Sequence, residues 1–151
     1  MAKEYNVAVV GATGLVGSTF LKVLAEYNFP IKNLKLLASS RSAGKIINYQ
    51  GKDIVVEELT EDSFENIDIA LFSAGGSIST KFCPIAASKG AVVIDNSSAW
   101  RNDPTLPLVV PEVNFEDVYK SVLKILSFSI NCSINFLSAI SLSAWFSVSK
   151  V

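Results

Sequence analysis

The chain contains no histidine, so the commonest acid–base side chain near neutral pH is missing from its own residues. Cysteine is almost as scarce. Cys83 and Cys132 are far apart and do not read as a disulfide framework or a zinc site, which fits a reducing, cytoplasmic setting. Net charge is nearly absent too. At -1, with Lys and Arg dispersed, the chain sets up no field to draw nucleic acid or an anionic membrane. No basic segment followed by an apolar run opens the chain, so no secretory leader is expected. What remains is 151 residues, 50% of them apolar, enough for one domain with a real core.

The most informative stretch is Gly11-Ala12-Thr13-Gly14-Leu15-Val16-Gly17. It follows the apolar run Val7–Val10 and opens an amphipathic segment reaching Tyr27. That order reads as buried strand, tight turn, helix. Gly11 lets the chain reverse, Gly14 lets the backbone approach a phosphate, and Gly17 lets the helix lie close to the sheet. The free N–H groups of the first helical turn and the helix dipole favour an anion there. The competing reading is a helix start packed by small residues with no ligand.

A second strand, Leu34 to Ala38, runs into Ser39-Ser40-Arg41-Ser42-Ala43-Gly44-Lys45. An NAD-preferring fold places an Asp or Glu at this point to bind the ribose hydroxyls. Here Ser40, Arg41 and Ser42 stand instead. Hydroxyls and a planar guanidinium suit the 2′-phosphate of NADP. A solvated loop with an incidental Arg is the alternative.

Lys45 to Tyr49 and Asp53 to Leu59 alternate around Gln50-Gly51 as a hairpin. Glu57, Glu58, Glu61 and Asp62 read as a solvated acidic face. Ile67 to Phe72 is a buried strand ending in Ser73-Ala74-Gly75-Gly76, where ligands bind in open α/β sheets. A helix from Ile78 to Lys89 follows, closed by Gly90, with Cys83 inside it as a small buried hydrophobe. Ala91 to Ile94 is the next strand. Its loop, Asp95 to Asn102, offers Arg101 and Asn102 to an anionic group, or is a polar turn with Trp100 tucked into the core. Three prolines keep 103–114 extended, and a short helix is expected at Phe115 to Lys120.

From Ser121 the composition shifts. Ile125 to Ser149 carries no charge and is long enough to cross a bilayer, but serines and two asparagines interrupt it. It reads as core material, a strand then a helix, and no membrane span is expected. Within it lies Asn131-Cys132-Ser133. A helix start near Ser133 would lower the Cys132 thiol pKa; a buried, inert thiol is the composition-based alternative. The expected division is a nucleotide-binding domain over 1–120 and a divergent apolar tail over 121–151. The expected fold class is α/β, a Rossmann-like, mostly parallel sheet with helices on both faces.

These stretches, with Ile94 to Arg101 and Pro107 to Asn114, resemble the N-terminal part of bacterial aspartate-β-semialdehyde dehydrogenases over residues 5–114. The resemblance implies NADPH-dependent reductive dephosphorylation of β-aspartyl phosphate to aspartate semialdehyde. That step feeds lysine, threonine and methionine synthesis. It implies that Thr13, Gly14, Leu15 and Val16 bind the cofactor pyrophosphate, Arg41 and Ser42 the 2′-phosphate, and Ser73, Ala74 and Gly75 the nicotinamide side. Arg101 and Asn102 would hold the substrate phosphate, and Cys132 would be the nucleophile. It also implies a homodimer in the full-length family. Departures are visible. Ile130 stands where the family has Pro before Asn-Cys, and Ser133-Ile134-Asn135-Phe136 replaces its Ser-Thr-Ile-Gln. The family's second domain, with its acid–base His, is not matched. The chain is therefore expected to keep the nucleotide-binding fold but not to turn over alone. A non-catalytic NADP-binding module and a relative of N-acetylglutamyl-phosphate reductase are the alternatives.

Overall fold

In the computed structural model, residues 3–114, 117 and 125–128 are described. The first strand, β1 (Tyr5–Val10), is buried along nearly its whole length, as its unbroken apolar run requires. It pairs in parallel with β2 (Ile31–Ala38) on one side and β5 (Ile69–Phe72) on the other. The β2 strand begins three residues earlier than its hydrophobic pattern suggests, because Tyr5 pairs with Ile31 across an irregularity in register. Between β1 and β2 runs α1 (Leu15–Glu26), which buries Phe20, Leu21, Val23 and Leu24.

The hairpin is β3 (Ile46–Tyr49) and β4 (Lys52–Glu58), antiparallel, turning at Gln50 and Gly51 with φ of 49° and 81°. Both central residues at positive φ make the twist-matched turn of a two-residue hairpin. The β4 strand joins β2 in parallel, which places β3 at one edge of the sheet. A short 3-10 helix, Glu61–Phe64, leads to β5 and buries Phe64 against Phe72 with ring centroids 5.8 Å apart. Glu57, Glu58, Glu61 and Asp62 are exposed, as expected of a solvated face.

The helix α2 (Gly76–Ser88) starts two residues before its expected start, and Gly90 follows its end at φ 95°. Next comes β6 (Val92–Asp95), parallel to β5. Asp95, expected in the following loop, is its last residue and is fully buried. Residues 103–114 are not simply extended. They contain β7 (Leu108–Val109) and a four-residue helix, α3 (Pro111–Asn114); the N–H of Val110, just before that helix, donates to Asn114 Oδ1 at 2.7 Å. The helix expected over 115–120 lies outside the described residues. The strand expected in the apolar tail is β8 (Ile125–Phe128), inserted in parallel between β6 and β7. The helix expected after it, and the boundary at residue 120, also lie outside the described residues. Among the described residues no helix is long and apolar enough to cross a membrane.

The strand order is β3-β4-β2-β1-β5-β6-β8-β7. One core layer packs α1 on one face of the sheet; the other packs Phe82, Cys83 and Ala86 of α2 on the opposite face. This is the expected α/β architecture, parallel except at the hairpin edge. The chain leaves β1 toward β2 on one side and later returns to β5 on the other. The order therefore reverses between β1 and β5, which is where such sheets open a ligand crevice.

Candidate functional site at the carboxyl edge of the sheet

Because β1, β2, β5 and β6 are parallel, the loops after them leave from one edge. Gly11 has φ 84°, and a Cβ there would lie 2.9 Å from the Ser73 carbonyl oxygen. Its N–H donates to Leu37 O at 2.8 Å, and Ser73 N–H donates to Val10 O at 2.9 Å. The first glycine thus ties the end of β1 to β2 and lies close against the end of β5, where only glycine fits. At Gly17 a Cβ would sit 2.1 Å from the Gly11 carbonyl oxygen. That glycine lets the helix approach the turn's own backbone rather than the strand.

Gly14 caps α1 with no side-chain hydrogen bond, and the first turn holds no acidic residue. Leu15, Val16 and Gly17 therefore present N–H groups with no protein side chain to receive them. Thr13, Gly14 and Leu15 are exposed, Leu15 at 85%. A bare helix N-terminus under a backbone that a Cβ would fill is a cradle shaped for a diphosphate.

The turn after β2 is ordered by Ser42 N–H and Ala43 N–H, which both donate to Ser39 O, at 2.8 and 3.1 Å. It is pinned to β4 by Gly44 N–H on Val56 O at 2.8 Å. Ser40 and Arg41 are exposed and Ser42 half-buried. Arg41 makes no ion pair or hydrogen bond among the described residues. After β5, Ser73 and Ala74 are half-buried, and Gly75 is exposed with φ 90° at the cap of α2. Ser73 Oγ donates back to Val10 O at 3.1 Å, so its side chain braces the crevice instead of reaching into it.

The loop after β6 does not force a choice between its two expected roles. Trp100 packs against the α2-side core, and Arg101, half-buried, stays at the edge beside exposed Asn102. Arg101 Nη2 donates to Asn96 O at 3.2 Å, while its Nε is buried with no partner. Cys83 behaves as expected of a structural residue: it is fully buried. Burial first, and then the Asp95 carboxylate, push its thiol far above the ordinary range; Trp100 and Ser79 pull weakly the other way. The Trp100 N–H has no hydrogen-bond partner in ordinary geometry, so its hold on the sulfur is slight. Cys132 lies outside the described residues, four positions beyond the end of β8. No group of three or more potential metal ligands occurs among the described residues.

The structure therefore brings Gly11, Thr13, Gly14, Leu15, Val16, Gly17, Ser40, Arg41, Ser42, Ser73, Ala74, Gly75, Arg101 and Asn102 to one edge. The sequence reading passed over Asp95 and Ser79. The one available signal was parity: Asp95 follows Val93 by two in a strand and so shares its buried face.

The sequence model of the family described as "Semialdehyde dehydrogenase, NAD binding domain" matches residues 6–121. The aspartate-semialdehyde dehydrogenase of Aquifex aeolicus (strain VF5) is 59% identical over 130 residues, covering 85% of this chain and 38% of that protein. That of Bacillus subtilis (strain 168) is 51% identical over 120 residues, covering 80% and 35%. Among solved structures, aspartate semialdehyde dehydrogenase II from Vibrio cholerae complexed with ASA superimposes with a TM-score of 0.82 at 47% identity, over 91% of this chain and 45% of that one. The Candida albicans enzyme with NADP gives a TM-score of 0.68 at 29% identity, over 77% and 36%. The chain thus spans less than half the length of each of these relatives.

Proposed function

The chain belongs to the semialdehyde dehydrogenase family through its nicotinamide-dinucleotide-binding domain, and on that premise we propose that it binds NADPH and serves the reduction of β-aspartyl phosphate to aspartate semialdehyde. The observation that carries this reading is the convergence of four loops on the β1/β5 crevice. They supply a bare helix N-terminus, a Ser-Arg-Ser turn with Ser40 and Arg41 exposed, a small-residue turn and a half-buried Arg.

The N–H groups of Leu15, Val16 and Gly17 hold the pyrophosphate, and Arg41 with Ser40 and Ser42 holds the 2′-phosphate. The small residues Ser73, Ala74 and Gly75 leave room for the nicotinamide ring. The bound dinucleotide supplies a hydride to the acyl carbon. Arg101, with Asn102, holds the phosphoryl group of the substrate and stabilises the phosphate as it leaves. Cys132 is the nucleophile: its thiolate forms the C–S bond as the C–O bond to phosphate breaks. A cytoplasmic location, from the scarce cysteines, and a homodimeric assembly, from the resemblance, accompany this reading. No histidine is present to move protons, so turnover by this chain on its own is not expected. A pure NADP-binding module is the second reading, favoured by that same absence.

Titration of the full chain with NADPH and NADH by fluorescence or calorimetry tests the assignment. NADPH is expected to bind more tightly. Replacing Arg41 by Ala should weaken NADPH by about 1.5–3 kcal/mol, the worth of a charge-assisted phosphate contact, and leave NADH unchanged. Equal affinities for the two nucleotides, or an Arg41→Ala variant with undiminished NADPH binding, overturn it.

A further inference from the structure

Among the described residues, Asp95 is the one acidic or basic side chain that is fully buried. No cation lies within 4.0 Å of it among those residues. Burying an unpaired carboxylate is unfavourable unless several donors replace its water. Three do. Oδ1 accepts Ser79 Oγ at 2.9 Å and the Ser97 N–H at 3.0 Å, and Oδ2 accepts Ser97 Oγ at 2.5 Å. Ser97 Oγ in turn accepts the Ala99 N–H at 3.1 Å. The Arg101 N–H then donates to Ser98 O at 3.4 Å, and its guanidinium returns to Asn96 O at 3.2 Å. The relay runs from a buried serine of α2, through the last residue of β6, to the backbone that carries Arg101.

An amide could make the same turn with one oxygen. It could not accept all three donors, because its second heavy atom is itself a donor. A carboxylate satisfies the set with no leftover N–H. Across the sheet, Ser127 of β8 is in register with Asp95, fully buried, its Oγ without a partner. The same carboxylate thus stands beside the strand that leads toward Cys132.

We propose that Asp95 is a positioning residue for anion binding: through Ser79 and Ser97 it locks the loop of residues 96–101 to α2 and sets the Arg101 guanidinium for a phosphoryl group. This rests on the Arg101 reading given above. Asp95 touches no ligand; it acts through Arg101.

The test uses the full chain with inorganic phosphate as the probe, followed by calorimetry or phosphorus NMR, and NADPH titrated in parallel. Wild-type protein should bind phosphate saturably, and Arg101→Ala should abolish that binding. Asp95→Ala and Asp95→Asn should each weaken phosphate about tenfold or more, the scale of losing a hydrogen bond to a charged group, while NADPH affinity stays within about twofold. Ser97→Ala keeps the buried charge and two of its three donors while removing the two relay bonds of the Ser97 hydroxyl, so it should fall between them and wild type. It also serves as the readout should the Asp95 variants fail to fold. A merely structural role would lower both affinities together, and that result overturns the proposal. So does phosphate binding that both Asp95→Asn and Ser97→Ala leave unchanged while Arg101→Ala abolishes it. Phosphate binding that is absent from the wild type, or indifferent to Arg101→Ala, defeats the Arg101 reading itself and the proposal with it.

Discussion

The two edges of the sheet are built from similar residues and use them differently. At the amino edge, polar groups satisfy one another. Asn33 Nδ2 donates to Asn6 Oδ1 at 2.7 Å, and the Asn6 N–H donates to Asp68 Oδ2 at 2.8 Å. At the carboxyl edge, the first turn of α1 has no side-chain cap, Arg41 has no partner among the described residues, and Arg101 Nε is an orphan. Groups that complete each other hold a fold together. Groups left incomplete at a crevice are the ones a ligand completes.

The contrast breaks most severely at Gly17. Ala there would press a Cβ to within 2.1 Å of the Gly11 carbonyl oxygen. Backbone must move, and we expect a loss of about 3 kcal/mol of stability, measured by urea unfolding, together with loss of nucleotide binding. A Gly17→Ala variant as stable as wild type would show that the helix need not lie so close to the turn. The Arg41→Ala experiment comes next, because it removes affinity for one nucleotide and leaves the fold intact.

The two cysteines sharpen the same contrast chemically. Cys132, if it sits at a helix start near the crevice, should alkylate with an apparent pKa below that of a free thiol and respond to added NADP. Mass spectrometry of each peptide across pH reads this directly, and a Cys132 that reacts no faster than a free thiol leaves the binding-module reading ahead. Cys83 should alkylate only through unfolding. Its thiol pKa is raised on folding, by burial first. The stability held by the protonated thiol is therefore complete below the unfolded value near 9.0 and is lost as pH rises from there toward the folded value. Unfolding free energy should fall above pH 9.0 in the wild type and fall less steeply in Cys83→Ala.

The smallest effect is expected at the amino edge. Asn33→Ala removes one exposed amide–amide bond, worth about 0.5–1.5 kcal/mol, and should leave NADPH and phosphate binding untouched. A large change in either affinity would mean that the two edges are coupled and the contrast is wrong.

Local patterns carried much of this protein. The apolar run before Gly11 made β1, the 3.6-residue periodicity after it made α1, and Gln50-Gly51 made the hairpin. In each case the determining interactions lie within a few residues, so the chain reads them off itself. The glycine turn and the Ser-Arg-Ser turn were legible for the same reason: both are short segments whose chemistry is intrinsic. Three features were decided only by long-range pairing. The first part of β2 exists because Tyr5 found Ile31. The strand Leu108–Val109 exists because β8, distant in sequence, offered it a partner. Asp95 looked like a loop residue because a carboxylate is seldom buried. What made it a buried strand end was Ser79, sixteen residues earlier, together with Ser97, and no local pattern announces a hydrogen bond across that distance. Secondary structure and turn chemistry were properties of the sequence. Which polar groups would end up satisfied, and which left open at the crevice, depended on neighbours that only the folded sheet supplies.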